Sequence, residues 1–440
     1  MSHAGGLGAR AEVRQVMARI YRYRMTTTSG GNISVRETNG DIWITPARVD
    51  KGNLSAEDIV LVRADGSVEG THPASSELPL HQGIYAARPD LRGIVHAHPV
   101  ALVAFSLAHQ VPDTRLCHQS WSVCGEPGFA PYAAPATAAL GTSAASAFVR
   151  GHNCVILENH GVVTAGESLH EAFRRFETLE FTARTIIRAR LLGREVRSLG
   201  DDEMESCMQA RGVPSFVREK HLRGAPLAAE EQLRAQLRDF VHRAYRFRLF
   251  ISTQGSFSAR LADSSLASFV ITPSYVDRES LAPEDLALVV AGRAEAGAVP
   301  SRATALHHAI YRRHPGVGAI INAYPVNATA FSVTGEELET RTIPESYLVV
   351  RKPGWVACGM QFRDPDAVAR LVSPAQPALI VENGGVLVTG RNVLEAYDRL
   401  EVLESTAEAI IHARAALGTM TTMPDRAIRE LEEAFFPPGC

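Results

Sequence analysis

The sequence lacks the features of several large protein classes. Its six cysteines are spread over 440 residues without a CxxC pair, so a reducing cytoplasm is expected and a disulfide framework is not. No apolar run reaches the ~18 residues of a membrane span, and residues 1–14 show no secretory signal. Basic and acidic residues number 45 and 48, so the basic excess of a nucleic-acid binder is absent. We expect a cytoplasmic protein that binds neither membrane nor nucleic acid.

The chain contains one internal duplication. Residues 44–62 match 271–289 with 10 identities in 19 positions, and residues 75–107 match 301–333 with 13 in 33. Shorter matches near residues 20 and 158 keep the same order, at offsets of 224 to 227. Collinear matches indicate a tandem repeat of a domain of about 200 residues. We predict domains at 1–196 and 230–440, joined by a linker at 197–229 that has no counterpart in the repeat.

Helical and strand patterns alternate within each repeat. In the first repeat the patterns predict helices at 78–88, 99–109 and 168–192, and strands at 93–98, 153–157 and 162–164. A hairpin turn is predicted at Asp65-Gly66. Hairpins do not suit a purely parallel sheet. The pattern therefore predicts a layered α/β domain with a largely antiparallel sheet.

Three histidines of the first repeat form a candidate metal site. His96 and His98 are two positions apart on a predicted strand, so their side chains point to the same side. His160 lies in a Gly-flanked turn that can project a third imidazole toward them. Three imidazoles leave coordination positions open, as a catalytic metal site requires.

The second repeat acts as an internal control for this site. It has lost all three imidazoles, and the counterparts are Asn322, Tyr324 and Gly384. By contrast, His81 keeps its counterpart His307, which indicates a structural role. Because the three ligand candidates are lost together, the pattern favours metal binding over ordinary half-buried histidines.

Glu77 follows the same pattern as the histidines. It precedes a predicted helix, where a carboxylate is favourable to the helix dipole, yet its counterpart is Ala303. A carboxylate lost together with three metal ligands points to the same chemistry. It could act as a resting-state ligand or as a proton-transfer group.

Six ordered motifs make the first repeat resemble the class II aldolase/adducin family. They are TSGGNIS at 28–34, ITP at 44–46, VDKGNL at 49–54, SSELPLH at 75–81, HAHP at 96–99 and ENHG at 158–161. The second repeat resembles a degenerate copy. The resemblance implies two tandem three-layer α/β/α domains, each with a central, mainly antiparallel sheet.

The resemblance also assigns the site. It implies a divalent metal, commonly zinc, with manganese or iron as alternatives, held by His96, His98 and His160. It implies Glu77 as the acid/base group, and it maps the anion-binding loops onto Gly31, Asn32, Thr45, Ser75 and Ser76. After Thr-Pro, relatives that bind sugar phosphates usually carry Ser or Thr and then Gly, whereas this chain carries Ala47 and Arg48. The Arg48 guanidinium can bind a carboxylate or a phosphate, so a phosphorylated substrate is left open.

The implied function is a metal-dependent lyase. It would perform aldol, retro-aldol or related enediolate chemistry on a small hydroxy-carbonyl or sugar-derived substrate. Three alternatives stay open: a non-haem iron oxygenase on the same scaffold, a decarboxylase, and an adducin-like non-catalytic interaction protein. Epimerisation and dehydration are further reactions that such a site could perform.

The resemblance also implies an assembly. Active members of the family are commonly rings of four identical domains whose sites lie at the interfaces. Two copies of this chain could build such a ring, so we expect a homodimer with a pseudo-four-fold arrangement of domains. The metal-free repeat would then form one wall of the site, and Tyr347 is the candidate residue on that wall.

Overall fold

The chain divides into two compact units. The computed structural model describes residues 3–208, 214–216, 228–261 and 267–436. Unit 1 comprises Met1–Thr114 and Gln119–Arg184, and unit 2 comprises Arg115–His118 and Thr185–Cys440. Of the predicted linker, residues 209–213 and 217–227 lie outside the described part. Among the described helices, none has both the length and the apolar character needed to cross a membrane.

The elements of the first repeat follow the predicted order. The helices are α1 (His3–Arg22), α2 (Leu78–Ala87), α3 (Val100–Leu107), α4 (His118–Cys124), α5 (Ala138–Val149) and α6 (Leu169–Leu191). The strands are β1 (Asn32–Arg36), β2 (Ile42–Ile44), β3 (Val60–Val62), β4 (Val68–Glu69), β5 (Gly93–Ala97), β6 (Gly128–Ala130), β7 (Cys154–Leu157) and β8 (Gly161–Gly166).

The remainder of the chain repeats this order from α8 onward. Its helices are α7 (Asp201–Met208), α8 (Ala228–Arg246), α9 (Thr304–Arg313), α10 (Val326–Thr334), α11 (Pro344–Val350), α12 (Met360–Arg363), α13 (Pro365–Leu371), α14 (Val393–His412) and α15 (Asp425–Phe435). Its strands are β9 (Ser215–Phe216), β10 (Ser256–Arg260), β11 (Phe269–Ile271), β12 (Ala287–Val290), β13 (Arg293–Glu295), β14 (Ala319–Ala323), β15 (Gly354–Val356), β16 (Ala378–Val381) and β17 (Gly385–Gly390).

Each unit contains one mainly antiparallel sheet, as the sequence predicts. The first has eight strands in the order β4-β3-β2-β1-β5-β8-β7-β6, and its one parallel pair is β6–β7. The second has nine described strands in the order β15-β16-β17-β14-β10-β11-β12-β13-β9, with β15–β16 and β9–β13 parallel. The short Asp65-Gly66 connection between β3 and β4 is the predicted hairpin.

Helices cover both faces of the first sheet. Ile42 and Ile44 of β2 point to one face, where they share a core cluster with Ile84 of α2 and Phe148 of α5. Neighbouring residues of a strand point to opposite faces, so Trp43 lies on the other face. There the guanidinium of Arg10 in α1 lies 4.5 Å from the centre of the Trp43 ring. The predicted three-layer α/β/α arrangement is thus confirmed.

Residues 194–208, which have no counterpart at the level of sequence, have a structural one. The backbone N–H of Leu199 donates to the carbonyl of Arg115 at 2.9 Å, and Arg115 forms an ion pair with Asp201. The same backbone bond and ion pair recur among Met423, Arg341 and Asp425. Helices α7 and α15 are therefore equivalent. We call residues 115–118 with 194–208 the first arm, and residues 341–344 with 418–436 the second arm; both belong to unit 2.

Candidate metal centre

His96 is positioned by the centre of the first sheet. It lies on β5, paired with Asn32 of β1 on one side and with Val163 of β8 on the other. Its side chain is fully buried, and its Nδ1 lies 2.9 Å from the carbonyl oxygen of Val162. Because a carbonyl only accepts, Nδ1 carries the proton and Nε2 presents a lone pair.

His160 is positioned by a tight turn between β7 and β8. Asn159 has a φ of 51°, and Asn tolerates this left-handed conformation better than most residues. At Gly161 a Cβ atom would lie 2.7 Å from the carbonyl oxygen of Ala97 and from the ring of His98. The absence of a side chain at Gly161 therefore lets the turn approach the end of β5.

The three histidines lie together, as the sequence predicts. Ring centroids are 4.8 Å apart for His96–His98 and for His96–His160, and 5.0 Å apart for His98–His160. One ligand atom from each lies within 4.8 Å of the other two. Among the described residues, nothing hydrogen-bonds the Nε2 of His98 or the Nδ1 of His160, and the Nε2 of His96 faces the carboxylate of Glu77. Three imidazoles that each bring one nitrogen within 4.8 Å of the other two fit a divalent metal.

The local electrostatics keep these rings ready to bind a cation. Burial, with a smaller effect from the neighbouring imidazoles, lowers the pKa of His98 to about 3. The same causes lower the pKa of His160 to about 4. Both rings are therefore neutral near pH 7, and a neutral imidazole is the form that binds a metal.

Glu77 faces the three histidines from the start of α2. Its Oε2 lies 3.0 Å from Nε2 of His96, and its Oε1 lies 3.5 Å from Nε2 of His160. The side chain makes no capping hydrogen bond to the described backbone of α2. Burial acts to raise the pKa of Glu77, but the His96 ring in its protonated form and the Asn32 amide outweigh it and hold the pKa below its ordinary value. The carboxylate is therefore ionised near pH 7, beside His96 and His160.

A chain of buried hydrogen bonds holds the Glu77 carboxylate in place. The amide nitrogen of Asn32 donates to Oε2 of Glu77 at 2.8 Å, and the amide oxygen of Asn32 lies 2.6 Å from Nε2 of His81. His81 continues through Ser34 to Tyr85, at 2.6 and 2.8 Å. Sequence reasoning placed Asn32 in an anion-binding loop and missed this chain. The sequence did contain one indication of this chain: a histidine is present at the same position of both repeats, as His81 and as His307.

The other predicted anion-binding residues lie in adjoining loops with different exposure. Gly31 has a φ of 74°, and a Cβ there would lie 2.8 Å from the carbonyl oxygen of His96. The hydroxyl of Thr45 accepts from the backbone of β1, and that of Ser75 accepts from the N–H of Glu77. Both hydroxyls therefore hold backbone in place. Ser76 and Arg48 are exposed, and Arg48 has a φ of 58°.

Tyr347 lies in unit 2, on α11. Its hydroxyl donates to Oε1 of Glu432 in α15 at 2.5 Å, and the guanidinium of Arg351 lies 5.3 Å from its ring centre. Burial raises the pKa of Tyr347, and the Glu432 carboxylate raises it further. The residue thus joins α11 to the second arm.

Comparison with known proteins identifies the fold family. The family model for the class II aldolase and adducin N-terminal domain matches residues 11–187 and again residues 235–411. A 5-deoxy-D-ribulose 1-phosphate aldolase of Bacillus thuringiensis is 31% identical over 188 residues, 41% of this chain and 85% of that protein. A 3-oxo-tetronate 4-phosphate decarboxylase of Pectobacterium atrosepticum is 32% identical over 203 residues, 44% of this chain and 90% of that protein.

Among solved structures, an L-fuculose-1-phosphate aldolase from Thermus thermophilus is 30% identical to this chain. The match covers 43% of this chain and 96% of that protein, with a TM-score of 0.37. The two family matches agree with the internal duplication and with the pair of similar sheets. The chain therefore belongs to the class II aldolase and adducin N-terminal domain family, which it carries twice in tandem, and it is a class II aldolase-like enzyme.

Proposed function

We propose that the first repeat, residues 1–196, is a metal-dependent lyase acting on a small hydroxy-carbonyl or sugar-derived substrate. Residues 230–440 would form a degenerate domain without metal ligands, joined by residues 197–229. The observation that carries the proposal is the cluster of three imidazoles, two of which contact Glu77. An adducin-like non-catalytic role does not suit this repeat, because all four chemical positions are filled in it.

His96, His98 and His160 would hold the metal, and we favour zinc because three neutral nitrogens suit it. When bound, a divalent metal would polarise the substrate carbonyl and stabilise the negative charge of an enediolate. The Val162 carbonyl fixes the His96 ring in the required tautomer. Manganese or iron would fit the same donors, and iron is the metal that the oxygenase alternative requires.

Glu77 would move the proton. Its Oε2 is held by the Asn32 amide, while its Oε1 has no hydrogen-bond donor among the described residues. An ionised oxygen without a donor can accept a proton from a substrate hydroxyl or carbon as a general base. In retro-aldol cleavage the same carboxyl would return that proton to the enediolate carbon.

The substrate would carry an anionic group. The relatives named above act on a deoxyribulose phosphate and an oxo-tetronate phosphate, and exposed Arg48 could pair with phosphate or carboxylate. The decarboxylase relative also favours a second candidate reaction, loss of carbon dioxide from a β-keto acid. Both reactions place negative charge next to a polarised carbonyl, so one site could serve either.

Metal analysis of the purified protein tests this proposal. We expect one divalent ion per chain, and His98→Ala should remove most of it together with all activity. The matched control is His72→Ala, because His72 pairs with Asp58 away from the cluster. Activity should be assayed on hydroxy-carbonyl phosphates and acids, following aldehyde release and carbon dioxide separately. Full metal occupancy and activity in His98→Ala would refute the assignment.

We also propose that the enzyme assembles as a cytoplasmic homodimer of about 95 kDa, from two chains of 47.6 kDa, with its domains in a pseudo-four-fold ring. In unit 2, Asn383 donates to the carbonyls of Leu116 and Arg197 in the first arm, both at 2.7 Å. The equivalent Asn159 has nearly the same φ, 51° against 50°, but is exposed. The second arm of another copy would cover Asn159 and so complete the site.

Light scattering and a variant of the second repeat test this assembly. We expect two chains and two metal ions per particle. Tyr347→Ala should reduce activity although it lies outside the metal-binding repeat, because Tyr347 anchors the second arm through Glu432. Tyr347→Phe, which keeps the ring but loses that bond, should have an intermediate effect. A fully active monomer would contradict the proposal.

A further inference from the structure

Two cysteines of unit 2, Cys207 and Cys358, lie in contact with each other. The Sγ atoms of Cys207 and Cys358 are 3.6 Å apart, although 151 positions separate them along the chain. Cys207 is 3% exposed, near the end of α7, and Cys358 is 7% exposed, between β15 and α12. Both are unbridged in this structure.

The backbone around the pair is shaped for close approach. Gly359 has a φ of 76°, and a Cβ there would lie 2.7 Å from the hydroxyl of Ser206 and 3.7 Å from Sγ of Cys207. A side chain at position 359 would therefore be strained by the positive φ and would displace the Ser206 hydroxyl. The glycine lets the first arm and the β15–α12 loop meet at the two sulfurs.

Two arginines fix both sides of the contact. Arg363 donates to the hydroxyl of Ser206 at 2.8 Å and to the carbonyl of Cys358 at 3.1 Å. Arg302 donates to the carbonyl of Cys207. The hydrogen bond with Cys358 lowers the pKa of Cys207, and the charges of Arg302 and Arg363 lower it further against the effect of burial. Cys207 is thus the sulfur better suited to attack an oxidant.

We propose that Cys207 and Cys358 form a reversible disulfide that fastens the first arm to the body of unit 2, with hydrogen peroxide as the oxidant. The two sulfurs need to move by less than about 2 Å to reach bonding distance. The site is a modification site of unit 2 and does not depend on the lyase function proposed for the first repeat.

The chemistry balances in two steps. The Cys207 thiolate attacks one peroxide oxygen, the O–O bond breaks, and the departing hydroxide takes up a proton, which leaves Cys207 as a sulfenic acid and one water. The Cys358 sulfur then attacks the Cys207 sulfur, loses its proton, and displaces hydroxide, which leaves as a second water. Overall, two thiols and one peroxide give one disulfide and two waters.

The disulfide would stabilise unit 2. It closes a loop of about 150 residues, and long loops give the largest entropic gain in the unfolded chain. We expect oxidation to raise the unfolding temperature by about 5–10 °C. A reductant such as dithiothreitol should reverse the effect.

Peptide mapping of the full chain under non-reducing conditions tests the proposal. After treatment with hydrogen peroxide, we expect the peptides that contain Cys207 and Cys358 to appear cross-linked, 2 Da below their summed mass. Cys207→Ser and Cys358→Ser should each abolish the cross-link and the rise in unfolding temperature. Cys124→Ser is the matched control, because Cys124 is equally buried but bonds the Arg175 carbonyl in unit 1.

Three outcomes would overturn the proposal. The first is conversion of Cys207 to sulfinic or sulfonic acid without a cross-link. The second is a cross-link to another cysteine, including Cys440, which lies outside the described residues. The third is an equal rise in unfolding temperature for the wild type and for Cys358→Ser.

Discussion

The ring of His307 lies 2.7 Å from the side-chain oxygen of Asn322, and Asn322 occupies the strand position at which the first repeat carries His96. In the first repeat the equivalent ring, that of His81, finds its amide oxygen on Asn32 instead, at 2.6 Å. Each repeat therefore supplies one amide to a buried histidine, but from a different strand. Because Asn32 serves His81, the centre of β5 is available for a metal ligand.

This exchange predicts a compensating pair of substitutions. In a Glu77→Ala background, which copies Ala303, Asn32→Ser should leave His81 without an acceptor and cost about 1–3 kcal/mol of unfolding free energy. Adding His96→Asn should recover most of the loss, because the new amide would stand where Asn322 stands. Denaturant unfolding of the four combinations measures the coupling. Additive losses would show that the two repeats do not satisfy this histidine in equivalent ways.

Glu77→Gln tests proton transfer. The amide keeps an oxygen that can accept from Asn32, so the fold and much of the metal should remain. Turnover should fall by on the order of 10²–10⁴, the contribution usual for a general acid–base group. Glu69→Gln, at an exposed position of the same unit, is the control. Unfolding of Glu77→Gln, or unchanged turnover, would indicate a structural role.

Substitutions of Arg48 can distinguish backbone strain at this position from a role in substrate binding. Arg48 and its counterpart Tyr275 are both exposed, with φ values of 58° and 64°. Glycine adopts this conformation without strain, so Arg48→Gly and Tyr275→Gly should each stabilise the chain by up to about 1 kcal/mol. Only Arg48→Gly should also raise KM, with metal content unchanged. An unchanged KM in Arg48→Gly would make Arg48 a surface residue without a role in binding.

His307 makes the stability of unit 2 depend on pH. Burial lowers the pKa of His307 to about 4, below the ordinary value near 6.5. Between pH 4 and 6.5 the unfolded chain binds more protons than the folded chain. The contribution of His307 to stability is therefore complete above pH 6.5 and is lost as the pH falls toward 4. The loss from this group should be about 2 kcal/mol at pH 5 relative to pH 7.5.

His307→Gln should reduce that pH dependence. Unfolding free energies at pH 5 and 7.5 measure the effect, and His412→Gln, at an exposed position of α14, is the control. If both variants keep the full pH dependence of the wild type, another group is responsible.

The parts of the fold governed by local pattern could be predicted from the sequence. Helix α2 and strand β5 lie within a residue or two of their predicted bounds, because turn residues and hydrophobic periodicity act locally. The three histidines could be brought together because β5 and the Asn159 turn each have a distinctive local signal. Because all three histidines are absent from the second repeat, the sequence also indicated that they belong to one site.

Two features could not be predicted in this way. The equivalence of α7 and α15 depends on backbone bonds, such as that from Leu199 to Arg115, which leave little trace in side-chain identity. The role of Asn32 depends on the pairing of β1 with β5, which sets its amide beside Glu77 and His81. Strand register between distant segments is a tertiary property, so the motif that contains Asn32 suggested a loop function.

The first arm makes the folding of one part of the chain depend on the second repeat. It precedes the second repeat in the sequence, yet its residues belong to unit 2, where Leu116, Leu199 and Met204 are 0%, 2% and 5% exposed. A deletion that removed the second copy would leave these apolar side chains without the surroundings that bury them, and the truncated product would tend to aggregate. A copy that has lost its chemistry can thus be retained by selection against misfolding, even before any contribution to catalysis is considered.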